Sequence, residues 1–119
     1  MDVIYVLSLS DDCWYVGKTK DLSSRLEQHM SGSGSAWTRL HKTLDVVMEK
    51  KMVGLFDEDN KVKSLMMSYG IDKVRGGSYS QIELPDYQIK ALETEFKHVM
   101  DCCFKCGKPG HFIYQCPNR

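Results

Sequence analysis

Residues 3–17 read VIYVLSLSDDCWYVG, and this stretch decides the fold. Residues 3–8 and residues 13–17 are rich in β-branched and aromatic side chains, which are typical of strands. Residues 10–12, Ser-Asp-Asp, lie between the two runs, and these residue types favour a turn. The stretch therefore predicts a β-hairpin at the start of the chain.

A helix and then a flexible loop are expected after the hairpin. Leu22, Leu26 and Met30 recur at helical spacing and predict a helix over residues 21–30, with Asp21 at its start. The run Ser-Gly-Ser-Gly-Ser at residues 31–35 predicts a flexible loop, because its residue types break both helices and strands.

The second half of the chain adds one strand and two helices. Residues 44–48 predict a third strand, and residues 56–69 predict a helix with Asp57 as its N-cap. Residues 75–80 are predicted to form a glycine-rich loop, and Pro85 opens a last helix. The order β-β-α-β-α-α predicts an α+β fold: a small, mostly antiparallel sheet flanked by helices.

Composition bounds the class of protein. The 119 residues carry no net charge and are 42% hydrophobic, which is typical of a globular chain with a packed core. No apolar run reaches the roughly 20 residues that span a bilayer, and the first residues lack the pattern of a signal peptide. We therefore expect a soluble, intracellular protein without a membrane partner.

The cysteines are concentrated at the end of the chain. Cys13 stands alone, whereas the other four lie within residues 102–116. Residues 103–116 read CFKCGKPGHFIYQC, with the spacing C-x2-C-x4-H-x4-C. Three thiolates and one imidazole form a closed tetrahedral shell for structural Zn²⁺, and metal binding supplies the folding energy of so short a segment. The predicted zinc ligands are Cys103, Cys106, His111 and Cys116.

This tail resembles the CCHC zinc knuckles of nucleocapsid-type proteins. The resemblance implies that Phe104 and Phe112 stack on unpaired bases while Lys105 and Lys108 meet phosphates. Cys102 falls outside the pattern and is either a bystander or an alternative ligand. The predicted organisation is a first domain over residues 1–100 and a zinc knuckle over residues 101–119.

Chemically active side chains gather around the hairpin and the first helix: Tyr5, Tyr15, Lys18, Arg25 and His29. Each has an ordinary explanation when it is taken alone. The two tyrosines suit strands, Arg25 is placed to pair with Asp21 one helical turn away, and a single histidine is more often a surface residue than a catalyst. Their joint presence next to one hairpin favours a catalytic site.

The segments Ile4-Tyr5-Val6 and Tyr15-Val16-Gly17 resemble the two signatures of the GIY-YIG nuclease family, over roughly residues 3–80. Residues 34–38 and 74–77 look like the compact GIY-YIG proteins of large DNA viruses. The resemblance implies that Tyr5 is the general base or orients the attacking water, and that Tyr15 positions the phosphate or the water.

The same resemblance implies roles for the basic residues. Arg25 neutralises developing charge, and Lys18 does the same or lowers the pKa of a tyrosine. His29 is either a relay for Tyr5 or a phosphate ligand. Many family members carry an asparagine about a dozen residues after a catalytic glutamate. This sequence has none there, so that role is left unassigned.

A carboxylate is needed to hold the catalytic metal, Mg²⁺ or Mn²⁺. Glu58 matches the family pattern of a glutamate followed by Val62 and Lys63, and its helical position places it in register with the buried face. Asp57 lies on another side of the helix, and Asp59 is the second choice. Glu58 is therefore the predicted metal ligand.

Together these features predict a metal-dependent endonuclease that hydrolyses phosphodiester bonds in DNA, including branched or single-stranded DNA. The knuckle would add affinity and also opens the way to RNA. Two rivals stay open at this point. One is a GIY-YIG scaffold kept for nucleic-acid binding alone, and the other is a knuckle-based RNA-binding protein.

Overall fold

The computed structural model describes residues 2–99, and in this range the chain forms a four-stranded sheet and four α-helices. The strands are β1 (Val3–Leu9), β2 (Cys13–Thr19), β3 (Thr43–Lys51) and β4 (Val74–Gly76). The helices are α1 (Leu22–Met30), α2 (Ala36–Leu40), α3 (Asp57–Tyr69) and α4 (Asp86–Val99). The predicted α+β class is confirmed.

The predicted hairpin is present. Strands β1 and β2 pair antiparallel, with Tyr5 opposite Gly17 and Leu7 opposite Tyr15. A single 3-10 turn, Ser10–Asp12, joins them. Asp11 and Asp12 have φ values of 64° and 57°, in the left-handed region that aspartate adopts more readily than most residues. The turn chemistry read from the sequence therefore has a direct backbone counterpart.

The sheet is mixed, with strand order β3-β1-β2-β4. Strand β3 pairs antiparallel with β1 and extends beyond the predicted residues 44–48 at both ends. Strand β4 pairs parallel with β2. It was not predicted as a strand, because its three residues open the segment that reads as a glycine-rich loop.

Two helix predictions need correction. Residues 36–40 form α2, with the Ser35 side chain accepting the Thr38 backbone N–H, directly after the predicted flexible loop. Asp57 is not the N-cap of α3, since Phe56 holds that position. The Asp57 carboxylate instead accepts the backbone N–H groups of Val53 and Gly54 in the preceding turn. Asp21 caps α1 as predicted.

Apolar side chains cover both faces of the sheet, because successive residues of a strand point to opposite sides. On one face Tyr5, Leu7, Leu9, Cys13 and Trp37 form a buried cluster, with Leu22 and Leu26 of α1 packed against it. On the other face Ile4, Val6 and Val16 are buried, and α3 contacts β2 through a side that carries buried Val62 and Met66. Met30, predicted on the apolar side of α1, is 65% exposed, whereas its neighbour His29 is buried.

A buried guanidinium ties the segment after β4 to the fold. Arg75 donates to four backbone carbonyl oxygens, those of Ile71, Val74, Gln81 and Ile82. Its guanidinium also lies 4.9 Å from the ring centroid of Trp37, as a cation–π contact requires. Trp37 is 4% exposed and donates to the backbone oxygen of Trp14, so it packs the core and is not free to stack on a base.

The chain divides into two compact units, residues 1–84 and residues 85–119. In the second unit the structure describes α4, where Leu92 is buried. The predicted boundary at residue 100 stays a prediction, since residues 100–119 lie outside the described residues. Within residues 2–99, no helix is both long and apolar enough to cross a membrane.

Candidate active site

Three rings from the hairpin and α1 form the centre of the site. The Tyr5 hydroxyl lies 2.8 Å from Nε2 of His29, and both side chains are buried. The ring centroids of Tyr15 and His29 are 5.0 Å apart, and those of Tyr5 and Tyr15 are 6.3 Å apart. The sheet register explains the arrangement, because Tyr5 and Tyr15 point to the face of the sheet on which α1 packs.

Two glycines leave room for these rings. A Cβ atom on Gly17 would lie 2.3 Å from the Tyr5 hydroxyl oxygen, so any other residue opposite Tyr5 would push its ring aside. A Cβ atom on Gly34 would lie 2.3 Å from Nδ1 of His29. The glycine that ends the second tyrosine motif is therefore a packing requirement of Tyr5.

Hydrogen bonding beyond His29 sets its tautomer. Nδ1 of His29 lies 2.9 Å from the Thr38 hydroxyl oxygen, and that hydroxyl donates to the Ser35 carbonyl oxygen at 3.1 Å. A hydroxyl has one proton to donate, so the Thr38 oxygen accepts the Nδ1–H. Nε2 then carries the lone pair and accepts the Tyr5 O–H. Both ring nitrogens of His29 are engaged, and neither is left for a phosphate.

Burial keeps these groups neutral. It lowers the pKa of His29 to about 4, with the nearby Arg25 charge acting in the same direction. Burial also raises the pKa of Tyr5, as do the charges of Tyr15 and Glu58, while Arg25 opposes them. The pKa of Tyr15 is raised by burial and by Glu58, against a hydrogen bond from Ser35. At neutral pH the centre therefore holds two phenols and a neutral imidazole.

Cations stand at the rim of this centre. Arg25 is exposed on α1, and its guanidinium donates to the Gln28 side chain at 3.3 Å. It does not pair with Asp21, whose carboxylate accepts from the Ser24 hydroxyl and backbone N–H. Lys18 is exposed at the end of β2, and its charge lowers the pKa of Glu58. Both cations are thus placed to meet an approaching anion.

The three acids at the start of α3 differ in what they hold. Asp57 accepts two backbone N–H groups of residues 53 and 54. Asp59 accepts the backbone N–H of Ser78 at 2.9 Å and the Ser78 hydroxyl at 2.7 Å. Within residues 2–99 no hydrogen bond or ion pair holds the half-buried carboxylate of Glu58. Its pKa is raised, first by burial and then by the charges of Asp59 and Asp2.

The donor set around Glu58 suits a hard cation that keeps most of its own ligands. Within the described residues, no group of three or more His, Cys, Asp or Glu side chains lies together as a complete metal shell. Mg²⁺ commonly binds one or two carboxylates and completes its octahedron with waters and substrate phosphate oxygens. A single unpaired carboxylate next to an open cationic rim fits that pattern.

The structure brings Tyr5, Tyr15 and His29 together, with Arg25, Lys18 and Glu58 close enough to act on them electrostatically. Sequence reasoning missed Thr38 and Ser35, which orient His29. The available signal was a pair of hydroxyls three residues apart, at the spacing of a helix N-cap. The knuckle residues, Cys103 to Cys116, lie outside the described residues.

Comparison with known families supports this site. A family model described as GIY-YIG catalytic domain matches residues 1–66, which hold all six residues of the centre and rim. A second model, described as zinc knuckle of the CCHC type, matches residues 101–118. No solved structure matches the chain.

The similar curated proteins are small bacterial ones. A UPF0213 protein of Oceanobacillus iheyensis is 27% identical over 85 residues, which make up 71% of this chain and 90% of that protein. A UPF0213 protein of Halalkalibacterium halodurans is 42% identical over 36 residues, and here the match spans 38% of the relative. The UPF0213 protein YazA of Bacillus subtilis is 33% identical over 43 residues, 43% of its length. These names state no activity.

Proposed function

The chain belongs to the GIY-YIG family, and we propose that it is a metal-dependent endonuclease that hydrolyses phosphodiester bonds in DNA. The observation that carries the proposal is the Tyr5–His29 pair beside the unpaired carboxylate of Glu58. A protein that only bound nucleic acid would gain nothing from a half-buried acid among phenols, because its desolvation opposes folding and its charge repels phosphate.

In the proposed reaction, Tyr5 and His29 act as one proton path. A water molecule gives a proton to the Tyr5 oxygen while the Tyr5 O–H proton passes to Nε2 of His29. The water oxygen attacks phosphorus as the bond to the leaving oxygen breaks. The Thr38 oxygen accepts the Nδ1–H of His29 throughout, which keeps Nε2 aimed at Tyr5. His29 is the terminal base in this scheme, and Tyr5 is a relay.

The low pKa of His29 makes this transfer unfavourable in the free protein. A bound phosphate changes the balance, because negative charge close to the imidazole favours its protonated form. Arg25 and Lys18 offset the charge that develops on the phosphate oxygens. The base therefore becomes effective only when substrate is present.

Glu58 is the residue that would hold Mg²⁺ or Mn²⁺. When bound there, the metal would supply Lewis-acid stabilisation of the phosphate and leaving oxygens. Lys18 at the same rim lowers the pKa of Glu58 and so keeps the carboxylate ionised for that purpose. Asp59, the second choice from the sequence, is less suited, because both its oxygens already bind Ser78.

The C-terminal zinc knuckle would hold the nucleic acid near the site. The knuckle match supports a nucleic-acid partner, and Phe104 and Phe112 with Lys105 and Lys108 are the residues proposed to contact it. The direct test is cleavage of plasmid and of branched or single-stranded DNA by the full chain, with and without added Mg²⁺. Nicking that needs Mg²⁺ supports the proposal. Tight binding without cleavage of any DNA would favour the binding-only alternative.

A further inference from the structure

A short apolar loop stands exposed immediately before Glu58. Residues 53–56, Val-Gly-Leu-Phe, connect β3 to α3. Val53 is 86% exposed, Leu55 is 91% exposed and Phe56 is 72% exposed. Three large apolar side chains within four residues form the most exposed apolar segment among the described residues. Exposed apolar patches of this kind mark interaction sites more often than ordinary surface.

The loop is built to hold this shape. Oδ2 of Asp57 accepts the backbone N–H groups of Val53 and Gly54 at 2.8 and 2.9 Å. The Phe56 carbonyl oxygen accepts the backbone N–H of Asn60 at 2.8 Å, so Phe56 is fixed at the helix start. The apolar side chains are therefore presented on a braced turn, which reduces the entropy lost when a partner binds.

Charge next to the loop favours a polyanion. A cavity of about 290 Å³ between β3 and α3 is lined by Val53 and by two lysines, Lys50 and Lys61. The acid in that cavity, Asp57, has its carboxylate committed to the loop backbone. On the other side of the loop, a cavity of about 320 Å³ is lined by Val53, Leu55 and Asp2, whose charge also reaches Glu58.

We propose that residues 53–56 form a base-stacking element, in which Phe56 and Leu55 contact an unpaired base while Lys50 and Lys61 meet the neighbouring phosphates. Apolar side chains inserted between bases are an established means of opening a base step, and aromatic stacking tolerates any base. The inference rests on the proposed function, because it places the opened base next to the bond that is cut. It adds a substrate class: DNA with unpaired bases at the cleavage point.

The test compares full-chain, zinc-loaded variants for binding to fluorescent DNA without added Mg²⁺, by fluorescence anisotropy. The probes are a perfect duplex, the same duplex with a two-base bulge, and a single strand. Phe56→Ala should weaken binding to the bulge and the single strand roughly 5- to 150-fold, the range of one lost base stack, and change duplex binding less than about twofold. Phe56→Trp should retain the affinity.

Two further sets of variants separate stacking from other effects. Leu44→Ala, which removes another exposed leucine (59% exposed) from β3, should bind all three probes like wild type. Lys50→Ala and Lys61→Ala should weaken binding to every probe and each lower the salt dependence by about one phosphate contact. Because these side chains are exposed, thermal melting should show the variants folded.

The outcomes distinguish this proposal from the nuclease proposal. If wild type cuts no DNA but Phe56→Ala still selectively weakens bulge binding, the stacking element stands without the enzyme. If wild type cuts DNA and Phe56→Ala binds every probe like wild type, the stacking element is wrong. A change in sedimentation of Phe56→Ala with unchanged DNA binding would also overturn it, since the loop would then contact a second copy of the chain.

Discussion

The Tyr5 hydroxyl lies 2.8 Å from Nε2 of His29, although the two residues are 24 positions apart in the chain. One belongs to the first strand and the other to the last turn of α1. The short separation requires Gly17 opposite Tyr5 and Gly34 against His29, since a Cβ atom on either would overlap the pair. The relationship therefore depends on three separate elements of the fold.

The ionisation of His29 gives a test of the buried pair. Its pKa is lowered to about 4, so below pH 6.5 the unfolded chain binds a proton that the folded protein refuses. The stability that this imidazole contributes is thus fully present above about pH 6.5 and is lost as the pH falls towards about 4. NMR titration of the His29 ring should give a midpoint near the lower value. A midpoint near 6.5 would show that the ring is not buried as described.

Thermal unfolding measured across the same pH range provides the control. In His29→Gln the part of the pH dependence that comes from this imidazole should vanish, while the contributions of the other titrating groups remain. If wild type and His29→Gln lose stability in parallel between pH 6.5 and 4, the lowered pKa of His29 is not the cause of that loss.

Thr38 should matter for catalysis through the orientation of His29. Thr38→Val keeps the shape but removes the oxygen that accepts the Nδ1–H, so the imidazole loses its fixed tautomer. We expect kcat to fall by about tenfold, the worth of one hydrogen bond, with KM little changed. Thr38→Ser keeps the hydroxyl and should restore most of the rate. Equal rates for the valine and serine variants would remove Thr38 from the mechanism.

Asp59 is expected to act on stability more than on chemistry. Its carboxylate connects α3 to the loop after β4 through two hydrogen bonds to Ser78. Asp59→Ala should lower the free energy of unfolding by about 2 kcal/mol, as is usual for lost hydrogen bonds to a charged group. The exposed-acid variant Glu83→Ala should cost much less in the same denaturation experiment.

The same position discriminates between the two candidate metal ligands. Asp59→Asn keeps the shape of the side chain and should retain cleavage within about tenfold of wild type, because Glu58 and not Asp59 would hold the metal. Loss of cleavage in Asp59→Asn, with the fold intact by circular dichroism, would transfer the metal to Asp59.

The tail is predicted to bind one zinc ion per chain through Cys103, Cys106, His111 and Cys116. His111→Ala removes one of four ligands and should abolish stoichiometric zinc, because three ligands leave the structural site open. Residues 2–99 should remain folded, as shown by an unchanged near-ultraviolet circular dichroism signal from the core tyrosines and tryptophans. Full zinc content in the purified variant would contradict the ligand assignment.

The elements that the sequence predicted are those with strong local signals. The hairpin, α1 and α3 have long apolar patterns or clear turn and cap residues, and all three are present. Helix α2 was missed because its five residues are too few to show helical periodicity. Strand β4 was missed because it has three residues and ends in glycine, and only its pairing with distant β2 makes it a strand.

The candidate site shows the same division. Tyr5, Tyr15, Arg25 and Glu58 were identified because short motifs mark them. The burial of His29 and the contribution of Thr38 were not, since both depend on how α2 folds back against α1. A pattern along one helix cannot place a side chain whose partners come from a strand and from another helix.

Glu58 is the residue on which the nuclease account depends, and replacing it also has a consequence for stability. Its pKa is raised by burial, so the charged carboxylate opposes folding at neutral pH. Glu58→Gln should therefore melt at the same temperature as wild type or higher. That result establishes that any loss of activity does not come from unfolding.

The most direct test is single-turnover cleavage of DNA by full-chain Glu58→Gln at saturating Mg²⁺, beside wild type and the exposed-acid control Glu83→Gln. The account predicts a rate lower by roughly a thousandfold or more for Glu58→Gln, with DNA affinity retained and the control unchanged. Cleavage by Glu58→Gln at the wild-type rate would contradict the account.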